Sequence, residues 1–267
     1  MKWKDERMTT TLSQATKGHY EELIGQIGNE YIDYRWKRHP VSRSHYRHTR
    51  NSILFALGRL GRPAGHLLEI GCGPGTWTDL CLAHAERMTI VDISSEMLKL
   101  VRERFNKNSI DFICGDYLVE EVVAPGTFDV IFTSRAVEYM DDKRAVVEKS
   151  ARLLKEGGVL IIITKNPRWM DKQRESRHEA GPKDDIHGDW VSWADLESYY
   201  AASGLENILS YPVCLGSYYA PLNTSLGIKA CDLLQERIYR RKIMPGLDFL
   251  AESYMTVGQK RHETVRE

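Results

Sequence analysis

Leu68-Glu69-Ile70-Gly71-Cys72-Gly73-Pro74-Gly75 decides how the rest of this chain is read. A short apolar strand, His66 to Ile70, runs into three glycines spaced Gly-x-Gly-x-Gly, and a helix follows over about 76–85. Glycines let the backbone turn sharply and let a ligand approach the main chain. A dinucleotide-binding turn would read GxGxxG or GxGxxA. Here position 76 is threonine and the third glycine comes one residue early. Glu69, two residues before the first glycine, would repel a pyrophosphate but suits a positively charged amino group.

Outward from this turn, strands alternate with helices. Further strands are predicted at 88–91, 110–114, 128–133, 159–164, 206–213 and 253–257. Ser94 or Ser95 caps a helix running to about 106, another spans about 142–154, and Ser192 caps one ending near Ser203. Such alternation implies a mostly parallel sheet with right-handed crossovers. The expected fold is α/β: a seven-stranded mostly parallel sheet with helices on both faces, an N-terminal helical cap and a C-terminal lid insertion. The cap is residues 1–62, with 1–17 polar and frayed, a helix over about 19–36 broken by Pro40, and a second over about 42–60. The main domain is 63–267, with lid insertions at about 165–190 and 214–250, the second holding a helix over about 226–241. In open α/β sheets ligands bind beyond the carboxyl ends of the strands, where both insertions could lie.

Composition narrows the function classes. Of 267 residues 42% are apolar, enough for a proper core, and the formal net charge is zero. No whole-chain field recruits nucleic acid or an anionic membrane. Five scattered cysteines without a CxxC pair argue against a disulfide framework or a structural zinc site, and no metal is expected. The first residues lack an apolar secretory region and no apolar run is long enough to span a membrane, so the expected address is cytoplasmic.

The stretch 68–75 closely resembles the first motif of class I, Rossmann-like S-adenosylmethionine-dependent methyltransferases, and the resemblance extends over about 66–164. It implies S-adenosylmethionine as cofactor. Asp92, at the end of the second strand, matches the family's acid for the ribose hydroxyls. Gly115-Asp116-Tyr117 matches the motif that places an acid near the adenine amino group, with Ile93 and Tyr117 flanking the ring. Leu153-Leu154-Lys155-Glu156-Gly157-Gly158 is similar to the family's fifth motif. The implied cofactor residues are Glu69, Gly71, Cys72, Gly73, Asp92, Ile93, Asp116, Tyr117 and Ser134. An oxygen or nitrogen acceptor must lose a proton, and the candidate catalytic residues are His187 and Glu138.

The acceptor is read mainly by exclusion. Where nucleic-acid amino methyltransferases of this fold carry Asn/Asp-Pro-Pro-aromatic, this chain has Thr133-Ser134-Arg135-Ala136. A small-molecule acceptor is expected, and a homodimer is possible on composition alone. From Arg35 to Arg50 six arginines and lysines and three histidines run without an acid, and Arg237, Arg240, Arg241 and Lys242 form a second basic cluster. These would suit an anionic acceptor such as a sugar phosphate or polar lipid. They would equally give an RNA or protein methyltransferase its handle, and a non-catalytic cofactor-binding subunit is a third reading.

Overall fold

A computed structural model describes residues 12–105, 109–121, 124–171, 190–216, 218, 220–238, 241 and 250–262. Seven strands form one sheet: β1 Ala64–Ile70, β2 Ala85–Asp92, β3 Ile110–Cys114, β4 Phe128–Ser134, β5 Leu154–Lys165, β6 Leu205–Leu215 and β7 Ala251–Lys260. Their order is β3-β2-β1-β4-β5-β7-β6. Strands β1 to β5 pair in parallel, whereas β7 is antiparallel to both β5 and β6. The expected mostly parallel sheet is therefore present, with β7 inserted between β5 and β6.

Alternation along the strands divides the core between two faces. Leu67, Met88, Ile90, Phe132 and Ile161 pack on one side, with Ile53 and Leu57 of α2 (Pro40–Gly58) and Leu98 and Val101 of α4 (Ser95–Arg104). Leu68, Ile70, Ile131, Leu160 and Ile162 face the other, under α5 (Lys143–Leu153) and α6 (Trp193–Ala202). Each of these helices starts on a side-chain cap. Ser94 accepts from Met97 N at 3.3 Å, Asp142 from Ala145 N at 2.8 Å and Ser192 from Asp195 N at 3.1 Å. Helix α3 (Thr78–Leu82) is shorter than the pattern suggested, and α7 (Ser225–Ile238) rests on α2 and β6.

The N-terminal segment departs from expectation. Residues 12–17 are helical rather than frayed, because α1 spans Leu12–Ile27 and buries Thr16 and Ile24. Pro40 does not merely end a helix; it opens α2 at the first position, where its missing N–H costs nothing, and His39 Nδ1 accepts from Val41 N at 3.2 Å. Between α1 and α2 a 3₁₀ turn at Gly28–Glu30 and a π turn at Asp33–Lys37 carry Trp36 into the core. Ser13, Thr16 and Tyr20 of α1 thereby reach the carboxyl end of the sheet, where a cavity of about 250 Å³ opens.

Candidate functional site

The glycine turn forms one part of this cavity. Gly71 takes φ +66°, and a Cβ there would lie 2.3 Å from the Ala136 side chain, so the turn after β1 and the chain after β4 pack as only glycine allows. Gly73 takes φ +52° with open space where a side chain would project. Its N–H donates to Asp92 Oδ2 at 2.9 Å, and Ser94 N–H donates to Oδ1 at 2.9 Å. Both oxygens of Asp92 are thus fixed by main chain, and each keeps capacity for a further donor. Burial lifts the Asp92 carboxyl to about 6 against those two amides.

Of the residues expected to hold the cofactor, Gly71, Cys72, Gly73, Asp92, Ile93, Asp116, Tyr117 and Ser134 all line the cavity. Glu69 does not. It lies behind the turn, fully buried, and accepts from Thr78 Oγ1 at 2.7 Å. Its carboxyl is pushed up to about 8 by burial, so it carries little charge below neutrality. Asp116 Oδ1 accepts from Leu118 N at 2.9 Å, and Oδ2 accepts from Ser13 Oγ of α1. Tyr117 keeps its hydroxyl on Ser150 at 3.0 Å and lines the cavity.

A second part of the lining is charged and aromatic. Tyr20, Tyr31, Arg35, Trp36, Arg135, Glu138, Tyr139 and Lys165 contribute to it. Tyr20 donates to the Tyr139 hydroxyl at 2.7 Å, joining α1 to the loop after β4. Glu138, on the 3₁₀ turn Val137–Tyr139, is 1% exposed at its side chain. Its Oε1 accepts from Lys165 N at 3.0 Å, and its Oε2 has no hydrogen-bond partner. His187, the other catalytic candidate, lies outside the described residues, as does most of the 165–190 segment.

Arg135 was overlooked in the sequence except as part of the β4 motif. Its φ of +62° is the left-handed region, strained for a side chain this size. The side chain is 13% exposed and its Nη2 donates to Glu252 Oε1 of β7 at 3.2 Å. Glu252 Oε2 lies 2.7 Å from His45 Nδ1 of α2. Burial alone would raise Glu252, but Arg135 and His45 hold it well below the ordinary carboxylate range. His45, Glu252 and Cys214 are also the described residues whose donor atoms gather closely enough to share a metal ion. The Arg135 guanidinium already supplies positive charge at that carboxylate, so an ion pair suffices there.

Of the basic run from Arg35 to Arg50, Lys37, Arg38, Arg43, Arg47 and Arg50 are exposed. Lys37 pairs with Asp33, Arg47 with Asp232, and Arg43 donates to Lys37 O at 2.8 Å. His45 and His48 are buried, and Arg35 is the one cation of the run that lines the cavity.

The residues present suit S-adenosylmethionine. Gly73 leaves room at the main chain, Asp92 offers a fixed carboxylate, and Ser134 Oγ is buried in the lining without a hydrogen-bond partner. Comparison with known proteins agrees. Residues 68–162 match the family model described as "Methyltransferase domain". The chain is 28% identical over 160 residues to a ubiquinone biosynthesis O-methyltransferase of Xanthomonas campestris, covering 58% of this chain and 64% of that protein. It is 30% identical over 116 residues to a malonyl-[acyl-carrier protein] O-methyltransferase of Acetivibrio thermocellus, covering 43% of this chain and 40% of the relative. Among solved structures, a Thermotoga maritima SAM-dependent methyltransferase superposes with TM-score 0.60 at 20% identity, over 91% of this chain and 100% of that one. The N-methyltransferase NodS of Bradyrhizobium japonicum, solved with S-adenosylhomocysteine, gives 0.58 at 17% identity, over 91% and 98%. Residues 68–162 thus match a methyltransferase domain, and the fold is that of Rossmann-like S-adenosylmethionine-dependent methyltransferases. Among the described residues no helix is long and apolar enough to cross a membrane.

Proposed function

We propose that this protein transfers a methyl group from S-adenosylmethionine to an oxygen or nitrogen of a small-molecule acceptor. The observation that carries the reading is that Asp92, held by Gly73 and Ser94, and Glu138, with a carboxylate oxygen that has no hydrogen-bond partner, line one cavity. Asp92 would take the ribose hydroxyls, Gly71 to Gly73 would border the amino-acid portion, and Asp116 with Ile93 and Tyr117 would receive the adenine. Bound there, S-adenosylmethionine supplies an electrophilic methyl on a cationic sulfur. The chain's task is then alignment and exclusion of water. Glu138 Oε2 would accept the proton that a hydroxyl or amine gives up as its new bond to carbon forms. Residues 12–37, within the cap of 1–62, supply Ser13, Thr16, Tyr20, Tyr31, Arg35 and Trp36 to the lining and would shield the reaction.

A small acceptor is favoured over RNA or protein because Arg35 is the one cation of the basic 35–50 segment that lines the cavity, while the segment's exposed cations are not part of that lining. Calorimetric titration with S-adenosylhomocysteine tests the cofactor reading: micromolar binding is expected, and none below about millimolar with the protein folded overturns it. Transfer of labelled methyl to a fraction of a metabolite extract tests catalysis, and Glu138→Gln should slow it about 100-fold or more.

A further inference from the structure

We propose that the acceptor carries an anionic group, a carboxylate or a phosphate, and that Arg135 and Lys165, aided by Arg35, form its subsite. The proposal rests on the methyltransferase reading above and names its substrate class. Three cations line one cavity here, from three separate stretches of chain: the π turn before α2, the residue after β4 and the end of β5. The acids facing them are Glu138 and Glu252. With those acids ionised, the three cations exceed them by one; Asp92 and Asp116, also in the lining, are assigned to the nucleoside.

The hydrogen bonds are unfinished in the same sense. Arg135 spends Nη2 on Glu252, while its Nε and Nη1 are buried without a hydrogen-bond partner. Nη1 comes no nearer than 3.8 Å to Glu138 Oε1, too far for a hydrogen bond. Buried guanidinium N–H groups left unpaired are costly, and a bidentate oxyanion is the partner whose geometry they match. Lys165 Nζ makes no ion pair among the described residues, and burial, then Arg135, weakens its hold on its proton. An anion would relieve both. Behind them, the Glu252–His45 pair fixes one edge of Arg135 and leaves the other to the cavity. The backbone at Arg135 is held in the left-handed region, φ +62°, where the guanidinium reaches both Glu252 and the cavity.

The rival claimant is the carboxylate of the cofactor itself, and the experiment separates the two. The full chain is saturated with S-adenosylhomocysteine, whose own carboxylate then occupies its place. Sodium benzoate or sodium phosphate is titrated in at fixed ionic strength, with benzamide as the uncharged control. Emission of Trp36 and Trp77, which line the cavity, reports binding. Saturation by benzoate, by phosphate or by both is expected, and it assigns the subsite to carboxylates, phosphates or either. Benzamide should bind at least about tenfold more weakly than benzoate. Lys165→Met and Arg135→Gln should each weaken the anion about tenfold or more while S-adenosylhomocysteine affinity stays within about threefold. The proposal is overturned if neither anion saturates, if benzamide binds as tightly as the anion that saturates, or if the variants weaken the nucleoside as much as the anion. Should Arg135→Gln fail to fold, Lys165→Met decides alone, since that side chain makes no ion pair among the described residues. A folded chain that ignores S-adenosylhomocysteine fails the methyltransferase reading; one that binds it and ignores both anions fails only the subsite.

Discussion

Glu69 and Glu252 are both buried glutamates on strands of one sheet, yet their carboxyls move in opposite directions. Glu69 has a threonine hydroxyl for company and no cation, and burial pushes it up to about 8. Glu252 has Arg135 and His45, which outweigh the same burial and hold it well below the carboxylate range. The two mark different ways of building a cavity wall. Around Glu69 the polar groups are settled by nearby main chain: Gly71 N donates to Val91 O at 2.7 Å, and Gly73 and Ser94 fix Asp92. Around Glu252 they are settled by side chains from α2, β4 and β7, and several polar atoms are left over. The first kind of wall presents a fixed template. The second is completed by what enters.

The largest effect should come from removing the cation-bound acid. Glu252→Ala leaves Arg135 buried beside a single distant carboxylate, and breaking such a pair costs roughly 3–5 kcal/mol. Denaturant titration at neutral pH should show this loss, and a loss under about 1 kcal/mol would mean that Arg135 finds another partner. The sign with pH follows. Because the folded carboxyl is depressed, its contribution is present above the unfolded value, about 4.3, and is lost on acidification below it.

Glu69 should give the opposite slope. Its folded carboxyl is raised from 4.5 to about 8, so the stability it contributes is full below about 4.5 and is lost as pH rises through 8. Asp92 adds in the same direction between 3.8 and about 6. Glu69→Gln should flatten the alkaline fall by about 3 kcal/mol while keeping the Thr78 contact. Parallel pH profiles of the two proteins would show instead that water reaches Glu69.

In the ligand itself the template wall should dominate. Asp92→Ala removes a carboxylate from the proposed ribose contact, worth roughly 1.5–3 kcal/mol, or about 10- to 100-fold in S-adenosylhomocysteine affinity. An unchanged affinity would take Asp92 out of the site. The same wall was the part legible in the sequence. Gly71, Gly73 and Asp92 are tied by short-range backbone geometry, so the spacing of a few residues carries the information. The strand pattern, including β7 at 253–257, was equally legible, because burial on one or both faces writes itself into local apolar runs. The charged wall was not. Arg135 meets Glu252 across 117 residues, and neither neighbourhood signals the pairing. In the run Arg35 to Arg50, charges along the chain do not reveal that Lys37 and Arg47 find acids or that Arg35 alone turns to the cavity. Helix α1 was missed at its start because Ser13 and Thr16 look solvated until Asp116 and the cavity are placed against them.

Helix α1 is where the two walls meet, and it offers the smallest and most local test. Ser13 ties its first turn to Asp116, beside the proposed adenine position, while Tyr20 ties its middle to Tyr139, beside Glu138. An adenine amino group approaching Asp116 meets a carboxylate with one donor already on each oxygen, Leu118 N on Oδ1 and Ser13 on Oδ2. Ser13→Ala therefore frees an acceptor for the ligand and at the same time loosens the helix that covers it, two effects of about 0.5–1.5 kcal/mol and opposite sign. The equilibrium affinity for S-adenosylhomocysteine should move by no more than about threefold. The dissociation rate should rise by about 3- to 10-fold, because only the loosened cover acts on the way out. Stopped-flow displacement reads the rate directly, with Tyr20→Phe as the matching cut at the other end of the contact. A rise in both variants makes α1 a cover shared by both walls. A rise in Ser13→Ala alone confines its role to the adenine end, and an unchanged rate in both would make α1 a fixed wall rather than a gate.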